Sequence, residues 1–373
     1  MNAITPFVGL ALAATLTSAV PPLLIEGNEL DLSTKYTEGL RLAVTSELTY
    51  ESERTAFELI RDGEPVDMSG RAMGGPSLLT RWTEFTYGVE ALEDGALSEV
   101  HLGFERLEQE TFAIRRDEEI VDTRNTPLHE VTLGLTLEDG EVVAEVLDGA
   151  EPDDEVLLEG FALELGLDAL LPEGPVEAGA EWGVEGAALL RALGFDLESN
   201  LFPPAPRPEP GAEGGGRGGG RGGMRGGRGG GGGNLGQLLS EGDWDLEATL
   251  EAEPEEAAGQ SCWVISVTGD AEAELPEPER GGGGGQRGGR GGALVPEPAP
   301  LAFETLGSLE VEAKLYVSTE LGHPVLLEVE LTTVLESHTE REGRDGGSIE
   351  TSSTTEGTMK LVVEVSEAAA DDE

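Results

Sequence analysis

The stretch Leu309-Glu310-Val311-Glu312-Ala313-Lys314-Leu315-Tyr316-Val317 alternates apolar and polar side chains. Successive side chains of a β-strand point to opposite faces. The run therefore has a dry face (Leu309, Val311, Ala313, Leu315, Val317) and a wet one (Glu310, Glu312, Lys314, Tyr316). A turn around Leu321-Gly322-His323-Pro324 leads into Leu327, Val329, Leu331 and Leu335, which alternate with Glu328, Glu330 and Thr332. Met359, Leu361, Val363 and Val365 repeat the pattern. One dry face and one charged face imply antiparallel pairing, because parallel sheets are covered on both sides.

The same alternation appears nearer the N-terminus. Leu40, Leu42, Val44, Leu48 and Tyr50 oppose Arg41, Thr45, Glu47 and Thr49. Val131, Leu133, Leu135 and Leu137 lead into Glu138-Asp139-Gly140 and then residues 142–147. Residues 82–92 and 97–107 flank Glu93-Asp94-Gly95. Asp-Gly suits a two-residue hairpin loop, whose central residues need positive φ. Two helices are predicted between strands. One covers 155–171, with Leu158, Phe161, Ala162, Leu165 and Ala169 at helical spacing, Asp153 or Asp154 as cap and Pro172 as stop. The other covers 187–193 and ends at Gly194. The expected fold class is mainly β: a curved antiparallel sheet with one or two short helices packed on it, plus disordered Gly/Arg-rich loops.

Two low-complexity tracts interrupt this pattern. One carries Arg217, Arg221, Arg225 and Arg228; the other carries Arg280, Arg287 and Arg290. Prolines bracket both, and neither tract holds enough apolar surface to offset the entropy of ordering it. The expected order is a signal peptide over 1–19, an N-terminal β half over 30–150 and a helical connection over 151–201. A Pro/Gly/Arg-rich insertion follows over 202–236, then a β hairpin over 237–274 and a second such insertion over 275–300. A C-terminal β meander over 301–366 and an acidic tail over 367–373 complete the chain. The hairpin pairs 243–252 with 260–269, which brings both tracts to one end of the sheet.

The leader reading rests on the apolar run Phe7–Leu16, followed by the small residues Thr17-Ser18-Ala19 before Val20-Pro21-Pro22. Residues 1–6 carry no Lys or Arg, and Pro21 and Pro22 would break a spanning helix. The protein is therefore expected to be exported, periplasmic or extracellular, with no transmembrane span after signal cleavage. With 75 acidic and 23 basic residues the formal net charge is -52. Such a field repels nucleic acid and anionic lipid. The one cysteine, Cys262, lies in a strand-like run beside Trp263 and reads as a buried, inert thiol.

No catalytic constellation stands out. His101 and His338 fall on wet faces, His129 leads a strand on its apolar side, and His323 sits in a turn. There is no His-Glu-x-x-His pair, no Gly-x-Ser-x-Gly elbow and no phosphate-binding Gly-Lys-Ser/Thr. Glu151-Pro152-Asp153-Asp154-Glu155 reads as a helix N-terminus, where negative charge is favoured. No enzyme activity, cofactor or metal is expected. The Arg-Gly-Gly repeats also suggest RNA binding, but no aromatic residue interrupts them to stack on bases and the body is acidic. No nucleic-acid partner is expected.

The segment Leu171-Pro172-Glu173-Gly174-Pro175-Val176-Glu177-Ala178-Gly179-Ala180-Glu181-Trp182 resembles a phrase that joins strand-rich halves in uncharacterised exported bacterial β proteins. The Ser318–Pro324 hairpin is similar to their penultimate turn. The strand count resembles the lipoprotein-carrier (LolA-like) architecture, a curved antiparallel sheet with helices against its concave face. The resemblance spans roughly 36–366 without the tracts. It implies a fold and an envelope location and transfers no catalytic residue. Trp182 reads as a plug at one end of the sheet.

Two function classes follow. In the first, a non-catalytic envelope protein holds an apolar ligand or lipidated partner in the concave sheet. The candidate lining is the row Leu309, Val311, Ala313, Leu315 and Val317, which equally fits ordinary core. In the second, an acidic surface scaffold captures an envelope component through the tract arginines.

Overall fold

In a computed structural model, residues 29–68, 75–115, 118–203, 235–275, 300–342 and 347–368 are described. The signal peptide over 1–19, the seven tract arginines and the last five residues of the acidic tail lie outside them.

The protein is mainly β, a large curved antiparallel sheet carrying short helices. Its strands in chain order are β1 (Glu29–Leu30), β2 (Arg41–Arg61), β3 (Glu64–Pro65), β4 (Ser77–Glu93), β5 (Ala96–Arg115), β6 (Glu118–Asn125), β7 (Thr132–Glu138) and β8 (Glu141–Asp148). After a helical connection come β9 (Val176–Glu177), β10 (Glu181–Val184), β11 (Asp243–Leu250), β12 (Glu255–Ala257), β13 (Gln260–Glu274), β14 (Pro300–Ser318), β15 (Pro324–Glu342) and β16 (Ser348–Glu367). The helices are α1 (Gly186–Ala192), α2 (Glu198–Leu201) and α3 (Leu235–Glu241).

The main sheet runs β10-β11-β13-β14-β15-β16-β2-β4-β5-β7-β8, with β12, β3 and β6 attached beside it. The central strands are long: β2 has 21 residues and β16 has 20, against a usual strand of about five or six. They pair with each other from Ile349↔Arg61 to Glu367↔Leu42. The first and last long strands are thereby neighbours, and the N- and C-terminal strand sets share one sheet.

Hairpin chemistry sets much of the register. Asp94 and Gly95 have φ of 52° and 87°, and Asp139 and Gly140 have 52° and 88°. Both pairs are left-handed, the geometry that matches the twist of adjoining antiparallel strands.

The inner face carries the core. Leu42, Val44, Leu48 and Tyr50 are buried, as are Leu309, Val311, Ala313, Leu315 and Val317. Tyr316, expected on the wet face, is 8% exposed. It belongs to a second small cluster with Ala257, Cys262, Val264 and Val325 on the outer face, where β12 pairs with the start of β13. The Cys262 thiol lies in that cluster, and burial pushes it up from its ordinary pKa.

β11 pairs with β13 from Asp243↔Glu272 to Leu250↔Ile265. Leu235 and Leu275, which border the two tracts, therefore lie at the same end of the hairpin. The other borders converge there too. Gly236 packs against the Glu198 carboxylate, Gly307 against Leu238, and the Leu275 N–H donates to Thr305 O at 2.9 Å.

The predicted helix over 155–171 is not formed. Two 3-10 turns, Glu155–Leu158 and Gly166–Leu170, stand at either end of an extended link. Gly160 has φ of +79°, which ends the first turn. Phe161, Leu163, Leu165 and Leu167 are all buried. This period of two competes with the helical spacing in the same letters, and the sheet below rewards it with a flat apolar surface to cover. Asp154 does cap its turn, accepting from the Val156 N–H at 3.2 Å. α1 ends before Gly194, whose φ is +71°.

Candidate functional site

A cavity of about 180 Å³ lies between the inner face of the sheet and the connection over 161–202. Its floor follows from strand register. Val363 of β16, Ser46 of β2 and Thr83 of β4 form one cross-strand row. Leu361, Leu48 and Arg81 form the next. Val44, Phe85 and Phe104 form a third on the other side. Ser46 and Thr83 are the small members of these rows, and the void lies above them. The roof is Phe161 and Leu165 from the extended link and Leu167 of the second 3-10 turn, with Ala192 and Leu193 at the end of α1 and Leu201 of α2.

The roof is tied down at two points. On one side, the Tyr87 hydroxyl donates to Leu163 O at 2.7 Å. Asp168, in the second 3-10 turn, accepts from Thr34 Oγ1 at 2.5 Å and from the Tyr36 hydroxyl. The Tyr36 oxygen in turn accepts from the Leu165 N–H at 3.0 Å. The strap over 31–36 thus pins the roof from outside. Burial and the neighbouring Asp168 carboxyl push the Tyr36 phenol far above its ordinary range, so it stays a donor. Burial also raises the Asp168 pKa, against the pull of the two donated hydrogen bonds and of nearby His323.

On the other side, Arg81 bonds Glu198 Oε1 at 2.5 Å and Gln109 Oε1 at 3.1 Å, and its guanidinium lies 4.8 Å from the Phe202 ring centroid. This joins α2 to β4. Both partners are largely shielded, with side chains 11% and 22% exposed. Such a pair is costly to break from one side, because the remaining charge is stranded.

The rim carries Glu164, Arg191 and Asp196. Arg191 Nε is 3.9 Å from Asp196 Oδ2 and is 53% exposed. Burial raises the Asp196 pKa, opposed by its bond from the Leu197 N–H. Among the described residues no group of three or more His, Cys, Asp and Glu side chains is placed to hold a metal.

The row Leu309, Val311, Ala313, Leu315 and Val317 was one candidate lining. It does not line the cavity and is ordinary core. The floor is instead built from β16, β2, β4 and β5. The signal for it was Ser46, the one polar residue in the inner row Leu42, Val44, Ser46, Leu48 and Tyr50. Trp182 sits in the short edge strand β10 opposite Ala248, half-buried against the core at that end of the sheet. His129 is in a turn, where its Nδ1 accepts from the Leu107 N–H at 3.2 Å. His101 contacts Glu90 at 3.1 Å, and His338 is exposed. His323 is buried to 3% exposure, with Nδ1 2.9 Å from Pro324 O. No helix among the described residues is long and apolar enough to cross a membrane.

No family model and no curated protein matches the chain. Among solved structures it is similar to lipovitellin, from work on lipid-protein interactions in that protein, at 8% identity and a TM-score of 0.32. That match covers 90% of this chain but 26% of lipovitellin, so the chain spans about a quarter of it. It is also similar to OccK7 (OpdD) of Pseudomonas aeruginosa, at 6% identity and a TM-score of 0.20, covering 88% of this chain and 100% of that one. What the chain has in common with both is a β-rich make-up.

Proposed function

We propose that this is an exported, non-catalytic binding protein that holds the apolar part of a small ligand between its concave sheet and the strapped roof. The reading includes a lipoprotein-carrier-like (LolA-like) architecture. The observation that carries it is the cavity of about 180 Å³, walled mainly by Leu, Val and Phe side chains. An apolar void of about 150 Å³ stays dry and takes up benzene, so a void of this size has a driving force to fill. Each methylene moved from water into it contributes roughly 0.8 kcal/mol.

Calorimetric titration of delipidated protein with 1-octanol tests this. Saturable one-to-one binding is expected. Val363→Phe, which pushes a ring into the floor, is expected to weaken it about tenfold or more while costing about 1–3 kcal/mol of stability from overpacking. Absence of saturable octanol binding to the folded parent protein overturns the reading.

A second reading has one observation behind it: the described borders of both tracts meet at one end of the sheet. Arg217, Arg221, Arg225, Arg228, Arg280, Arg287 and Arg290 would then be tethered close together beside an acidic body, as a capture surface for an anionic envelope component. Removal of 204–234 and 276–299, with short Gly-Ser joins, is expected to leave the thermal midpoint within a few degrees and to abolish retention on an anionic polysaccharide resin. Unchanged retention rejects it.

A further inference from the structure

The cavity's charges say which ligand it accepts, an inference that rests on the binding reading above. We infer that the site takes single-chain or single-ring amphiphiles whose head group is neutral or cationic, and that it discriminates against carboxylates and phosphates.

Three observations point this way. The first is size. About 180 Å³ accommodates one ring or one short length of acyl chain. Two acyl chains side by side do not fit, so the occupant is a single-tailed molecule.

The second is that the cations on the wall are already engaged. Arg81 faces the cavity, but Glu198 and Gln109 bond it from behind and Phe202 lies under its guanidinium. An anionic head reaching the other N–H groups of Arg81 would sit beside the Glu198 carboxylate, which already neutralises the guanidinium. Arg191 stands at the rim next to Asp196. Its side chain is half in water, where attraction to an anion is weak and screened.

The third is the balance at the mouth. Glu164 and Asp196 face one arginine there. Partial burial raises the Asp196 pKa, and a cation or hydrogen-bond donor placed beside its carboxylate relieves that cost. A second anion adds to it. The net charge of -52 has the same sign and lowers the concentration of anions near the protein before they reach the mouth. Ser46 and Thr83 supply hydroxyls on the floor for an uncharged polar group.

The test uses three chain-matched probes in 0.5 M NaCl: 1-octanol, octyltrimethylammonium and octanoate. Binding is measured by calorimetry on the full chain and on Val363→Phe. Only the part lost in Val363→Phe counts as cavity binding, which removes ion pairing of the cation with the acidic surface. Octanoate is expected to bind about tenfold or more weaker than octanol, and the cation at least as tightly as octanol. In a Glu164→Gln, Asp196→Asn double variant the gap between octanoate and octanol is expected to narrow to within about threefold. Octanoate binding as tightly as octanol overturns the inference, as does an unchanged gap in the double variant. If none of the three probes binds, the binding reading itself fails; if octanol binds and octanoate equals it, only the selectivity fails.

Discussion

Asp168→Ala is expected to destabilise the protein by about 2–4 kcal/mol and to release the roof of the cavity. Asp168 accepts from both Thr34 and Tyr36, and these are the bonds that hold the strap to the second 3-10 turn. Alanine leaves two hydroxyl donors in a partly buried site with no acceptor, the expensive way to lose a hydrogen bond. Chemical denaturation of wild type and variant measures the loss. A change below about 0.5 kcal/mol would mean that the strap contributes little.

The same residue gives stability a pH dependence of definite sign. Burial raises the Asp168 pKa in the folded protein above the ordinary value of 3.8 that the unfolded chain keeps. The folded state therefore binds this proton more tightly, so ionising Asp168 costs the folded state more than the unfolded one, although the carboxyl still accepts the two bonds that hold the strap. Stability should rise as pH falls from neutral through the raised folded value, and this gain is complete below 3.8. Asp196 is shifted in the same direction and adds to the trend. Asp168→Asn removes the charge and keeps one acceptor. It should cost less than alanine, about 1 kcal/mol, and flatten the rise in thermal midpoint as pH falls from 7 towards 3.8. An equal or steeper rise in the asparagine variant would place the effect elsewhere among the carboxylates.

Gly166→Ala is expected to have an effect of similar size on stability, about 2–4 kcal/mol, and a larger one on ligand binding. A Cβ at this position would stand 2.4 Å from Arg191 O and 3.1 Å from its carbonyl carbon. Those are backbone atoms near the end of α1, so no side-chain rotation relieves the clash. The turn and the helix must move apart, and both form the roof. Gly160 is the control. Its φ of +79° strains any other residue, yet a Cβ there meets only Leu197 Cδ2 at 3.9 Å. Gly160→Ala should cost about 1 kcal/mol through backbone strain and leave octanol binding within twofold. Equal losses of octanol affinity in the two variants would show that roof geometry does not govern the cavity.

The contrast between those glycines shows why the connection was hard to read. In Phe161-Ala162-Leu163-Glu164-Leu165-Gly166-Leu167 the apolar residues satisfy a helical stripe through Phe161, Ala162 and Leu165, and a strand-like row through Phe161, Leu163, Leu165 and Leu167. Local periodicity does not choose between them. The extended form wins because Gly166 is wedged against Arg191 and because Tyr87 and Tyr36 claim Leu163 O and the Leu165 N–H, which an α-helix would need for itself. Those partners lie 76 and 129 residues away in sequence. α2 and α3 were missed for a related reason. With 4 and 7 residues, they are too short to persist without the sheet they pack on.

The sequence by itself determined the main strands, most of their dry and wet faces, their antiparallel pairing and the Asp-Gly turns. Each is a local property: a pleated backbone turns every second side chain the same way, and two left-handed residues close a hairpin. Tertiary structure alone decided that β16 lies against β2 and that the void falls above Ser46 and Thr83. It also decided that Asp168 receives Thr34 and Tyr36, from more than 130 residues away. A strand's alternation states which face is buried but not which strand lies beside it, and a cavity exists only where neighbouring strands bring their small residues into the same row.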